Sequence, residues 1–131
     1  MRLYTVAEAS DLLPQVIPVL EQLQAAFVAL RAFPAIASAE SRGVSEDGSL
    51  LADPWSGGDA KNRAEAMGAS LHAAAAQLGI WGIELKDPGR GLIDFYHDRA
   101  GELVYLCFLL GERSLGYWHT LDGGFAGRRS I

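Results

Sequence analysis

Lysine is almost missing from this chain of 131 residues: Lys61 and Lys86 are its two lysines, the other nine cations are arginines, and the formal net charge is −5. An acidic chain without a basic face cannot displace counterions from phosphates, which excludes a general nucleic-acid binder. Acids exceed bases nine to five over residues 1–80 and seven to six over residues 81–131, and neither end carries a charged tail. One cysteine, Cys107, rules out an internal disulfide. Cys-x-x-Cys and His-Glu-x-x-His pairs are absent, and no serine has the setting of a nucleophile elbow, so the compact spacings that identify a zinc site or a hydrolase do not occur. No apolar run reads as long enough to cross a bilayer, and Met1 to Thr5 lead straight into a helix signal. These absences predict a soluble, cytoplasmic protein with no membrane partner.

What is present is apolar. Half of the residues are hydrophobic, enough for one domain to build a core without disulfide or metal staples. Thr5-Val6-Ala7-Glu8 has the form of a capping box, so a helix starts at residue 5 or 6. Pro14 and Pro18 each remove a backbone donor and predict a bend or short break, and Phe33-Pro34 predicts an end or kink. Val16, Leu20, Leu23, Phe27 and Leu30 recur at alternating steps of four and three and form one stripe, which Ile17, Val19, Ala26 and Val28 widen.

Residues 41–59 are rich in Gly, Ser, Asp and Pro and read as a flexible loop, in which Trp55 suits a plug over apolar surface better than a ligand contact. Asp59 caps a second helix with Ala60, Ala64, Met67, Leu71, Ala74 and Leu78 in its stripe and Gly79 at the left-handed end position. The two stripes predict an antiparallel helical hairpin. Their surplus apolar surface, with small residues at Gly68 and Ala73 to Ala76, predicts a homodimer.

From Ile80 the period changes to two. Trp81, Ile83 and Leu85 alternate with Gly82, Glu84 and Lys86, and turn signals at 87–91, 98–101 and 111–114 separate further alternating runs. The chain therefore reads as a single α+β domain: helices over about 5–79, a three- to four-stranded antiparallel sheet over about 80–122 and a C-terminal arm over 123–131.

The chemistry-bearing residues fall in that sheet. A carboxylate or imidazole on a half-buried strand needs a partner, and side chains from neighbouring strands can converge on one point. Glu84, Asp94, Glu112 and His119 are the candidate metal ligands, with Glu102 and His97 beside them; such a set suits Fe, Mn or Zn. The competing roles are structural: each group taken alone more often meets a backbone amide, a turn or an arginine, and Arg90, Arg128 or Arg129 could pair with these groups to pin the arm. Cys107, in the most apolar strand, reads as a small hydrophobe rather than a ligand. His72 reads as a surface or helix-contact residue. Two functions follow: a small homodimeric binding or interaction domain without a catalytic motif, and, as the alternative, a metal-binding protein or metal-dependent enzyme.

The strings Tyr4-Thr5-x-x-Glu8-Ala9, Gly82-Ile83-Glu84-Leu85-Lys86-Asp87, Gly91-Leu92-Ile93-Asp94-Phe95, Val104-Tyr105-Leu106-Cys107, Leu110-Gly111-Glu112, Tyr117-Trp118-His119 and Gly124-Phe125-Ala126-Gly127-Arg128 resemble the prokaryotic domain of unknown function 2203 family. The resemblance covers the chain outside residues 41–59. Phe108 departs from it, since a tryptophan is expected after the cysteine. The resemblance implies a small stand-alone protein, carries no functional residues with it, and contains Glu84, Asp94, Glu112 and His119 within its motifs.

Overall fold

The capping box forms as its spacing requires: the Thr5 amide donates to Glu8 Oε1 at 2.9 Å and the Glu8 amide to Thr5 Oγ1 at 3.0 Å. From that cap, in a computed structural model describing residues 1–42 and 56–131, helix α1 runs over Val6–Arg42. Pro14, Pro18 and Pro34 lie inside it, so neither the break at Pro14 to Pro18 nor the end at Phe33 occurs. The reason is tertiary. Leu13, Val16, Leu20 and Leu23 are buried in the core while Pro14 and Pro18 are exposed, so each ring meets solvent and packing of the opposite face holds the helix through the missing donors. Residues 6–32 are by length and composition apolar enough to cross a membrane, contrary to the expectation from sequence; Val16, Leu20 and Leu23 of that stretch lie in the core, but only 28% of its most apolar part is buried.

Helix α2 (Ser56–Ile80) packs against α1, with Gln22 Nε2 donating to the Ser70 carbonyl at 3.2 Å. It begins three residues before the expected Asp59 cap. It also runs through Gly79, and the left-handed residue that closes it is Gly82, at φ 72°. Trp55 and residues 43–55 of the expected loop lie outside the described residues.

The chain then forms one antiparallel sheet in sequence order: β1 Ile83–Asp87, β2 Leu92–Arg99, β3 Glu102–Leu109, β4 Tyr117–Thr120 and β5 Arg129–Ser130. Five strands replace the three or four expected, because the last residues of the arm pair with β4. Ala100 and Gly101, both at positive φ, make the two-residue turn that pairs Arg99 with Glu102 and fixes the whole β2–β3 register. Period-two alternation then sorts the faces. Ile83, Ile93, Phe95, Val104, Leu106, Phe108 and Trp118 join the helices in the core. The opposite face carries Glu84, Asp94, Tyr96, Tyr105, Cys107, Tyr117 and His119.

Candidate functional site

On that second face, the register aligns Glu84 with Asp94, Asp94 with Cys107, and Tyr105 with His119. Asp94, Cys107 and His119 are 1%, 1% and 3% exposed, which puts an acid, a thiol and an imidazole together in a dry environment. One ligand-type atom from each lies within 4.8 Å of the others.

His119 Nδ1 sits 2.7 Å from the Thr120 carbonyl oxygen. A carbonyl only accepts, so Nδ1 carries the hydrogen, and Nε2 faces both Asp94 oxygens at 3.0 and 3.1 Å. An imidazole lone pair and a carboxylate cannot face each other at that distance unaided. A shared proton must lie between them, or a cation in its place. Burial raises the Asp94 carboxyl above the ordinary carboxylate range, against the opposing pull of His119. Burial, reinforced by Asp94, pushes the Cys107 thiol up to about 12, so the thiol holds its proton while it stays buried.

Glu84 is adjacent but not in the cluster. Its carboxylate accepts from the Tyr96 hydroxyl, from the Tyr105 hydroxyl at 2.9 Å and from Lys86, and the Lys86 contact is the main reason its carboxyl lies below the usual range. Tyr105 links the two groups, for its ring lies 5.3 Å from that of His119. Tyr96 is raised in turn, chiefly because its hydroxyl hydrogen is held by Glu84.

Glu112 stands apart. Its Oε1 accepts from the Leu109 amide and from Arg128 Nη2, each at 2.6 Å, so this carboxylate does pin the C-terminal arm by an arginine. His119 instead pairs with Asp94, and Arg90 stacks on Phe125 at 4.4 Å. His97 holds the N-terminal segment through Nδ1, 2.6 Å from the Tyr4 carbonyl, and Glu102 lies exposed beside the turn. His72 is exposed on α2, as expected.

Of the four predicted ligands, the fold thus brings Asp94 and His119 into direct contact, joins Glu84 to them through Tyr105, and sends Glu112 elsewhere. Cys107, set aside as a hydrophobe, belongs to the cluster. The signal was available: the turn at Ala100-Gly101 fixes Arg99 opposite Glu102, and counting back five places on each strand sets Asp94 opposite Cys107.

Three donors fit a four-coordinate ion. Bonds of roughly 2.0–2.3 Å put tetrahedral ligands about 3.3–3.8 Å apart, within the range these side chains already span. The Nδ1 bond to a backbone carbonyl is the outer contact that commonly orients a ligating histidine. Beside the cluster lies a cavity of about 170 Å³, bordered by Asp94, His119, Tyr105 and Lys86 and covered by residues of the segment after β4.

The family described as an uncharacterized conserved protein, DUF2203, matches residues 2–131, and the chain belongs to that family. No curated protein and no solved structure matches it.

Proposed function

We propose that this protein is a small, soluble, cytoplasmic homodimeric binding domain whose ligand is a divalent transition-metal ion held by Asp94, Cys107 and His119. The observation that carries the reading is the Nε2 of His119 facing the Asp94 carboxylate at 3.0 Å with Nδ1 committed to a carbonyl. A cation can replace the shared proton there and draw in the Cys107 sulfur. The thiolate shifts the choice among Fe, Mn and Zn toward Zn or Fe(II), since Mn prefers oxygen donors. The remaining sequence candidates take outer roles: Glu84 orders the Tyr96 and Tyr105 hydroxyls, and Glu112 holds Arg128. The homodimer is supported by apolar side chains left at the helix surface, with Val28 52% and Ile80 75% exposed.

Elemental analysis of the purified protein tests the metal. About one Zn or Fe per chain is expected, lost in Cys107→Ala and His119→Ala and kept in Glu112→Gln. No bound metal, together with no added ion raising the melting temperature, overturns the reading. Light scattering at micromolar concentration tests the dimer, and a monomer with intact helices removes it.

The cavity favours a second reading, a metal-dependent enzyme. It offers room beside Asp94 and His119 for an exchangeable fourth ligand, the arrangement that separates catalytic from closed structural sites. A bound ion would supply Lewis-acid polarisation of that ligand.

A further inference from the structure

Strands flank the cluster, and residues of the crossing from β4 to β5, over 121–128, border the partly open cavity beside it. Leu121, Asp122, Gly124 and Phe125 from that crossing line the same cavity as Asp94 and His119. Both ends of the crossing are fixed to the sheet: one continues from β4, and the other enters β5, where the Ile131 amide also bonds the Gly116 carbonyl at 3.0 Å. Between these anchors the segment has a short 3₁₀ turn over Phe125–Gly127, preceded by Gly124 at φ 59°.

Arg128 fastens this crossing. Its guanidinium bridges to Glu112 at 2.6 Å and lies over Tyr117 at 4.0 Å and Phe125 at 4.7 Å, while Arg90 covers Phe125 at 4.4 Å. The fastening is incomplete in one respect: among the described residues the buried Arg128 Nε has no hydrogen-bond partner, a cost borne while the segment is down and relieved when it lifts. Phe125 itself buries no closed apolar plug, since 36% of it is exposed. Few contacts thus separate the covered state from an open one, while the paired strands beneath stay intact.

We propose that residues 121–128 are a lid hinged at its two sheet anchors and latched by Arg128 on Glu112, and that the Asp94–Cys107–His119 cluster exchanges its occupant only through the unlatched form. The lid as a gate for a ligand rests on the cluster being a binding site. Its opening is measurable without any ligand through Cys107, which is buried beside Asp94 and paired across the sheet with Tyr117, the ring that Arg128 overlies.

The experiment uses the full chain, stripped of metal by a chelator, and dithiobis(nitrobenzoate). The Cys107 thiolate attacks one sulfur of the reagent, a mixed disulfide forms, one thionitrobenzoate leaves and the thiol proton goes to solvent. Slow reaction is expected for the native chain, with a rate that depends weakly on urea, as local opening requires. Arg128→Gln and Glu112→Gln should each raise the rate about tenfold or more, at unchanged urea dependence. Phe125→Ala, which keeps the ion pair and removes the cover, should raise it as well and keeps the test decisive if either latch variant folds poorly. A native rate with the full urea dependence of global unfolding overturns the lid, as do variant rates equal to the native one. Either result leaves the metal content untouched as a separate measurement, so failure of the lid and failure of the metal reading are told apart.

Discussion

Asp94 on β2 and His119 on β4 meet across the intervening strand β3, 3.0 Å apart, with neither more than 3% exposed. Removing one partner from a buried pair strands the other without water, which costs about 3–5 kcal/mol. Asp94→Ala and His119→Ala should each destabilise the metal-free protein by that order in urea melts. The double variant should cost clearly less than the two single losses added together, since nothing is left stranded. Additive costs would mean that the two groups are satisfied independently.

The same pair sets a pH dependence. Burial raises the folded Asp94 carboxyl above its unfolded value, so the folded state binds the proton more tightly. The stability this contributes is complete below the unfolded value, near pH 4, and is lost as pH rises through the folded value. Glu84, held below its ordinary range mainly by Lys86, works the other way and is lost as pH falls. Asp94→Asn should therefore be most damaging at about pH 4 and less so toward neutrality, compared with the native chain at each pH. A penalty that grows with pH would show that the folded Asp94 carboxyl lies below its unfolded value instead.

Glycine chemistry gives a sharper contrast. Gly91 sits at φ 66°, and a Cβ there would lie 2.6 Å from Leu110 Cβ, on the rigid first atom of that side chain. Gly91→Ala combines backbone strain with a clash and should cost about 2–4 kcal/mol. Gly79 lies inside α2 at ordinary φ, and a methyl group added there would meet nothing within 4 Å among the described residues, so Gly79→Ala should stabilise by about 0.4–1 kcal/mol. Thermal melts separate the two, and a destabilising Gly79→Ala would return the left-handed helix end to that position.

The contrast between these glycines marks what was legible in the sequence. Some local chemistry was legible: the Thr5 to Glu8 cap and the turn after Asp98 formed where residue types demanded, whereas α2 starts before Asp59, passes through Gly79 and takes in Ile80, so the strand expected from Ile80 begins only at Ile83. Positions decided by distant packing were not. Pro14 and Pro18 carry a strong local signal against helix, and it is overridden by core contacts of Leu13, Val16 and Leu20 that no local rule contains. The site divided the same way. Alternation put Asp94 and His119 on strands, but Glu112 looked equivalent until the arm brought Arg128 to it, and Cys107 looked inert until the register set it opposite Asp94.

Cation binding should release protons, and the number released is a signature of the ligand set. Nε2 of His119 and the Asp94 carboxylate share one hydrogen in the free protein, and the Cys107 thiol, pushed up to about 12, holds another. An ion that takes all three donors must expel about two. Calorimetric titration of Zn²⁺ into the chelator-treated chain, repeated in buffers of different ionisation enthalpy, measures that number directly. Affinity should accordingly rise steeply with pH across the neutral range. Cys107→Ser should weaken binding and lower the release by about one proton, because a hydroxyl coordinates without ionising. Co²⁺ in place of Zn²⁺ should give a near-ultraviolet sulfur-to-metal absorption band in the native chain and none in Cys107→Ser. Release of a single proton with no such band would leave Asp94 and His119 as the ligands and return the thiol to the hydrophobic role its strand suggests.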